Sequence, residues 1–259
     1  MTDSHERRVR SQFGSSAADY VTSPGHAGGE DLQTMLGWGR DRRARQVLDV
    51  ATGGGHTALA FASLAARVVA FDVTEPMLHA ARNFIGGRRP ASAVAFVAGN
   101  VEALPFREGT FDVVTCRIAA HHFADPALAM RQIARVLAPG GSLLLQDILG
   151  SDDAEANAFI TEVERRRDPS HVKAYRRAEW NALLRGAGLT IIDSTTVSKV
   201  RPWEEWTARM RMSPETKRDL ERFVRDAPER VRAAFAFTLS ADAINSYSDR
   251  QILLRADRD

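Results

Sequence analysis

The sequence predicts an α/β fold: a mostly parallel sheet with helices on both faces. Short apolar runs alternate with helix-forming stretches from Gln46 to Ile148, and that alternation builds βαβ units rather than hairpins. Gly53-Gly54-Gly55 separates the first apolar run from the first helical one, which marks a tight strand-to-helix loop. In addition, Asp49, Asp72, Asn100 and Arg117 stand at or beside the ends of four successive apolar runs. Right-handed crossovers bring those ends to one edge of the sheet, where open α/β sheets bind ligands.

Taken in order, residues 1–15 are charged and serine-rich without a clear period, and are expected to fray. Phe13, Tyr20, Pro24 and His26 precede a helix from Gly29 to Gly39. Strands are predicted near 46–51, 67–72, 93–98, 111–117 and 142–148, with helices near 56–66, 75–85 and 126–138. Asp125-Pro126 caps the last of these helices, and Pro139-Gly140-Gly141 turns it into the next strand. Residues 150–175 form a charged insertion. An amphipathic helix over Glu179–Ala187 ends at Gly188, a β-branched strand covers Leu189–Val197, and a last strand lies near 244–255. Between these two strands, residues 202–238 carry Trp203, Trp206, Met210, Met212 and Phe223, as a helical lid or interface or as core packing. With no repeat or low-complexity linker, residues 1–259 read as one domain, with a 1–40 cover and a 41–150 cofactor core.

Composition narrows the function classes. The 259 residues carry a formal charge of only +2, with 44% apolar and 26% charged residues, ordinary values for a globular chain. Acids and bases alternate, so no nucleic-acid stripe is expected. Cys116 is the single cysteine, which excludes an internal disulfide framework. No apolar run is long enough to span a membrane and Met1–Gln12 is polar, so the expected compartment is the cytoplasm. The expected partner is a small-molecule substrate, with a homodimer left open.

The glycine loop supports two chemistries. Gly53-x-Gly55-x-x-Ala58 fits a dinucleotide fingerprint, and Asp72 lies about twenty residues on, where an acid takes ribose hydroxyls. Asp49, just before the loop, would repel a pyrophosphate and attract an ammonium, which favours S-adenosylmethionine over a nicotinamide dinucleotide. The plain alternative for Asp49 is a loop or cap acid. D-V-A-T-G-G-G-H (49–56), F-D-V-T-E-P-M-L (71–78), G-N-V-E-A-L-P-F (99–106), F-D-V-V-T-C-R-I-A-A-H-H-F (111–123) and A-R-V-L-A-P-G-G-S-L-L-L-Q-D (134–147) together resemble the class I S-adenosylmethionine-dependent methyltransferases, in the UbiE-like branch. The resemblance covers about residues 10 to 200. It departs at Ala51, where many relatives carry glycine, and at Asn100, where aspartate is common.

That resemblance implies a Rossmann-like, seven-stranded sheet with an antiparallel C-terminal hairpin and helical insertions. It also implies roles around S-adenosyl-L-methionine, the product being S-adenosyl-L-homocysteine. Ala51, Gly53 and Gly55 would pass the amino-acid moiety, Asp72 would take the ribose, and Val73 and Met77 would wall the adenine. Asn100 and Val101 would read the adenine edge, although Asn100 also suits a plain strand-ending turn. Arg117 joins them at its strand end, and Tyr20 and His26 would sit in an N-terminal cover. His122 or His121 follows the fourth strand and could act as general base, or bridge backbone groups instead; methyl transfer itself needs mainly proximity and alignment. Arg167 and His171, in the run Glu164–His171, could line a substrate pocket or lie on a solvated face. Adjacent histidines cannot easily face one ion, so no metal is expected, and Cys116 reads as core. A nicotinamide-dependent oxidoreductase and a non-catalytic S-adenosylmethionine binder are the other readings.

Overall fold

The computed structural model describes residues 2–21, 28–42, 44–88 and 90–259, and their side chains except those of 2, 3 and 15–20. Five parallel strands form the sheet's first part: β1 (Gln46–Val50), β2 (Arg67–Asp72), β3 (Ala93–Ala98), β4 (Phe111–Arg117) and β5 (Leu137–Ile148). Two long strands, β6 (Leu189–Pro202) and β8 (Ile244–Arg258), complete it as an antiparallel pair, with β8 against β5. The order is β3-β2-β1-β4-β5-β8-β6, and the two-residue β7 (Thr238–Leu239) pairs with β8. The Rossmann-like α/β sheet with its antiparallel hairpin is as expected. The eighth strand is an addition, since two residues give no periodic signal in a sequence.

Strands buried on both faces read as continuous apolar runs, and β1, β2 and β4 do so. On one face Leu48, Val50, Phe71 and Val114 pack under α5 (Pro126–Val136) and α7 (Arg177–Gly186). On the other, Val47, Val68 and Val113 pack under α2 (Glu30–Asp41), α3 (His56–Phe61) and α4 (Glu75–Gly86). A third cluster joins α6 (Ala154–Arg167) to α8 (Trp203–Ala208), α9 (Pro214–Asp226) and α10 (Glu229–Ala233) through Phe159, Trp203, Leu220 and Tyr247. Trp203 is wholly buried, and burying such a side chain contributes at least about 2 kcal/mol. Core packing is therefore the main work of the 202–238 aromatics.

Several boundaries differ from expectation, β6 running on to Pro202 and β8 to Arg258 among them. Residues 2–21 form a helix, α1 (Thr2–Val21), rather than a frayed end; it packs on α4 and is tied to the cleft by long-range hydrogen bonds. Helix α3 stops at Phe61 instead of reaching 66. Strand β5 begins at Leu137, not 142, because the chain pairs with Phe111 before the Pro139–Gly141 turn, whose Gly140 takes φ +70°. A Cβ at Gly141 would lie 2.9 Å from the Ala138 carbonyl oxygen. No described helix is long and apolar enough to cross a membrane.

Candidate active site

The C-terminal ends of β1, β2, β4 and β5 open onto one cleft, capped by α1 and flanked by α6 and α8. It has two halves. The first follows the glycine loop. Ala51, Gly53 and Gly55 all take positive φ, at +52°, +54° and +84°. Glycine adopts that region freely whereas alanine is strained there. A Cβ at Gly55 would meet Ile85 Cδ1 at 2.9 Å, but at Gly53 it would meet nothing within 4 Å. Gly53 therefore borders open cleft, where a ligand can approach the backbone closely.

The acids of this half are held from within. Asp49, wholly buried, accepts from the Thr52 and Thr115 hydroxyls at 2.6 and 2.7 Å. Burial lifts its pKa to about 6, against the pull of those two hydroxyls. Asp72 accepts from the Gly53 N–H at 2.9 Å and the Thr74 N–H at 2.8 Å; burial raises its pKa too. Each Asp72 oxygen keeps capacity for a further donor. Asn100 caps the following 3₁₀ turn (Val101–Ala103) by accepting from Glu102 N–H at 2.8 Å. Its Nδ2 also donates to Glu6 Oε2 of α1 at 3.0 Å. Val73, Met77 and Val101 line the same half.

The second half is built from side chains. Arg167, Arg201 and Arg209 line it together with the acids Glu164, Asp168 and Asp249, whereas Arg117, at the end of β4, lies beside the first half, where its charge acts on Asp49. Arg117 donates to Asp31 of α2 at 2.9 Å and to Gln146, buried beneath the cleft. Arg201 pairs with Asp249 at 2.7 Å. Of the three arginines closing α6, Arg167 alone lines the cleft; it stacks 4.3 Å above Trp206 and lies 3.5 Å from Glu164. Arg165 bonds the Val172 carbonyl and Arg166 pairs with Glu162. Burial raises the Glu164 pKa although Arg167 opposes it, and Tyr247 donates to that carboxylate at 2.9 Å.

The two adjacent histidines differ. His121 Nδ1 lies 2.5 Å from Asp147, whose carboxylate also accepts the His121 N–H. Burial alone would lower its pKa, but the Asp147 charge and hydrogen bond raise it. His122 has its pKa lowered to about 4 by burial and by the neighbouring His121. It is neutral at pH 7. His171 is buried, its pKa is lowered by burial and by the other two histidines, and its Nε2 has no hydrogen-bond partner. Ile118, a β-branched residue at φ +55°, precedes this turn, and such an outlier marks a backbone held by its surroundings. Among the described residues, no cluster of His, Cys, Asp or Glu has metal-site geometry. Cys116 is buried, with its pKa pushed well up by burial, an inert setting.

Helix α1 covers the cleft with His5, Glu6, Val9 and Phe13; the His5 Nε2–H donates to the His122 carbonyl at 2.7 Å. An N-terminal cover was expected, but through Tyr20 and His26. The Tyr20 side chain and all of His26 lie outside the described residues. Glu6, Glu164, Asp168, Ser170, Arg201 and Asp249 were not singled out from the sequence. For Asp168 and Ser170 the D-P-S turn was a usable signal.

The methyltransferase domain family matches residues 48–145, which span the glycine loop and β5. "Uncharacterized methyltransferase YcgJ" of Bacillus subtilis is 33% identical over 88% of this chain and 90% of its own. The chain belongs to the class I S-adenosylmethionine-dependent methyltransferases. The crystal structure of the YcgJ protein superposes with a TM-score of 0.85 at 31% identity, over 88% of this methyltransferase and 98% of that chain. A solved structure from Bacillus halodurans C-125 gives 0.85 at 37% identity, over 89% and 99%. "Ubiquinone/menaquinone biosynthesis C-methyltransferase UbiE" of Ruegeria sp. is 34% identical over 54% of this methyltransferase and 60% of its own length, in keeping with the UbiE-like branch.

Proposed function

We propose that this methyltransferase holds its cofactor in the acidic half of the cleft and a small acceptor in the arginine-lined half. The observation that carries the reading is the placement of charge: Asp49 and Asp72 along the glycine loop, with Arg117 acting on Asp49, and Arg167, Arg201 and Arg209 across from them. Bound there, S-adenosylmethionine supplies an electrophilic methyl on a cationic sulfonium, which an acidic wall favours and a pyrophosphate-bearing dinucleotide would not match. Asp72 accepts from the ribose hydroxyls, and the open face of Gly53 admits the amino-acid moiety. Met77 and Val73 pack on the adenine, whose edge faces Asn100 and Val101.

In the other half, Arg167 on Trp206 and the unpartnered Nε2 of His171 receive the acceptor. Stacked arginine and buried imidazole suit a flat molecule with acidic oxygens, so the acceptor is a quinone-like or acidic aromatic metabolite. The UbiE relative's name supports the same class. His122, neutral and beside the cleft, accepts the proton that an oxygen, carbon or nitrogen nucleophile gives up on methylation. We place the reaction in the cytoplasm.

Calorimetric titration with S-adenosylmethionine, S-adenosylhomocysteine and NAD(H) tests the cofactor half. Saturable binding of both sulfur ligands is expected. Asp72→Ala should weaken it by about ten- to a hundredfold, the loss of charge-assisted hydrogen bonds. Binding of NAD(H) alone would overturn the reading. In a methyl-transfer screen of hydroxyquinones and phenolic acids, His122→Ala should retain cofactor affinity while turnover drops about a hundred- to ten-thousandfold.

A further inference from the structure

We infer that Ser170 and Asp168 are positioning residues that hold His122 in the tautomer protonated on Nδ1, so that Nε2 keeps its lone pair. The inference rests on the reading of His122 as the base and adds which nitrogen does the work and what sets it.

The direction of each hydrogen bond decides the tautomer. Asp168 ends α6, and its Oδ1 accepts from the Ser170 N–H at 2.9 Å and from the Ser170 hydroxyl at 2.6 Å. That hydroxyl has a single hydrogen, and it is committed to a buried carboxylate. What Ser170 Oγ turns toward His122 Nδ1, 3.2 Å away, is a lone pair. Nδ1 must therefore carry the hydrogen. Ser170 is wholly buried and Asp168 nearly so, so water does not compete for these bonds. The loop is fixed against the histidine turn by the Val172 N–H on the His121 carbonyl at 2.8 Å, and by the His171 N–H on the Asp168 carbonyl at 3.0 Å.

The same carboxylate favours a second protonation, against burial and the nearby His121, which oppose it. Asp168 Oδ2 lies 3.8 Å from His122 Nε2, too far for a hydrogen bond to the neutral ring but near enough to stabilise a charge on it. On methyl transfer the nucleophile's proton would go to Nε2 and its electron pair would form the bond to the methyl as the methyl–sulfur bond breaks and S-adenosylhomocysteine leaves, while the Nδ1 hydrogen stays on Nδ1, donated to Ser170 Oγ. No proton passes on to Asp168. The other rings facing His122 are His121 at 4.0 Å, Phe13 at 5.0 Å and His171 at 6.3 Å.

Two-bond ¹H–¹⁵N correlation spectra of the full chain with ¹⁵N-labelled histidine, at pH 7 with and without S-adenosylhomocysteine, read the tautomer directly. The His122 signals are assigned by their loss in His122→Gln. The expected wild-type pattern is a protonated Nδ1 and a bare Nε2. Ser170→Ala should move the tautomer ratio about two- to tenfold toward Nε2–H, the weight of one neutral hydrogen bond, and Ser170→Thr should restore it. A wild-type His122 protonated on Nε2, or on both nitrogens, overturns the inference even if Ser170→Ala fails to fold. So does a folded Ser170→Ala with an unchanged ratio. If instead the tautomer behaves as stated but His122→Ala leaves methyl transfer intact, the base assignment fails and the tautomer lock stands.

Discussion

Along the glycine loop, Asp72 and Asn100 are held by backbone N–H groups two to nineteen residues away, and Asp49 by the nearby Thr52 hydroxyl and by Thr115 on the adjacent strand. Across the cleft, Arg201 meets Asp249 at a separation of 48 residues and Tyr247 meets Glu164 at 83. One half is mainly a property of a short segment; the other exists only once α6, β6 and β8 have come together. Damage should therefore be local and backbone-driven in the first half, and spread through ion-pair partners in the second.

The largest expected effect tests the second half. His121→Ala removes the ring paired with Asp147, whose side chain is wholly buried. Two backbone N–H groups, from residue 121 and Ile148, still reach that carboxylate, but its charge partner is gone. The cost of stranding a buried charge is about 3–5 kcal/mol. The sign of its pH dependence follows from the raised His121 pKa. The folded state holds that proton more tightly than an unfolded histidine at about 6.5. The gap between wild type and His121→Ala should thus be full at pH 5.5 and shrink as pH climbs through the raised folded value. Chemical denaturation at both ends of that range measures it. A gap that grows with pH would mean the pair is not ionic.

These differences also explain what the sequence could reveal. The strand–helix alternation, the loop and the positions of Asp49, Asp72 and Asn100 at strand ends were legible because strand, glycine and acid are neighbours in the chain, and crossover handedness places those ends at one edge. Helix α1 was not. Its residues lack a strong apolar stripe, and its docking partners for Glu6 and His5 are Asn100 and His122, 94 and 117 residues away. Arg167 and His171 were named, yet Arg165 and Arg166 looked equivalent until α6 turned one of the three inward. Arg201 and Asp249 carried no signal, since an arginine and an aspartate on separate strands pair only after the β6–β8 register is set.

A smaller effect sharpens the first half. Asp49 has a folded pKa of about 6 against an ordinary value of 3.8. A value raised in the folded state means the native protein binds the proton more tightly, so stability falls as pH rises from about 4 to about 6 and stays lower above that. The gap corresponds to about 3 kcal/mol. Asp49→Asn removes the charge in a similar shape, and the Thr115 hydroxyl can turn to the Leu48 carbonyl, already 3.5 Å away. The variant should lack this decline between pH 4 and 6, and gain on wild type at pH 7. Parallel urea curves at three pH values decide it; equal slopes in both proteins would show that Asp49 titrates normally.

The smallest effect isolates the backbone. Ala51 sits at φ +52° where the family pattern has glycine, and a residue with a Cβ is disfavoured there by about 1–2 kcal/mol. Ala51→Gly relieves that strain but frees the unfolded chain, which takes back roughly 0.5–1 kcal/mol, and it removes a half-buried methyl packed on the core beneath the loop. The balance should be a gain of about 0.5 kcal/mol, seen as a higher urea midpoint at constant m-value. Cofactor affinity should change by no more than about twofold, since the Ala51 methyl packs on the core cluster. A loss above about 1 kcal/mol would mean that the Ala51 methyl, through its packing, holds the loop more firmly than the φ angle strains it. The first half would then depend on side-chain packing much as the second does.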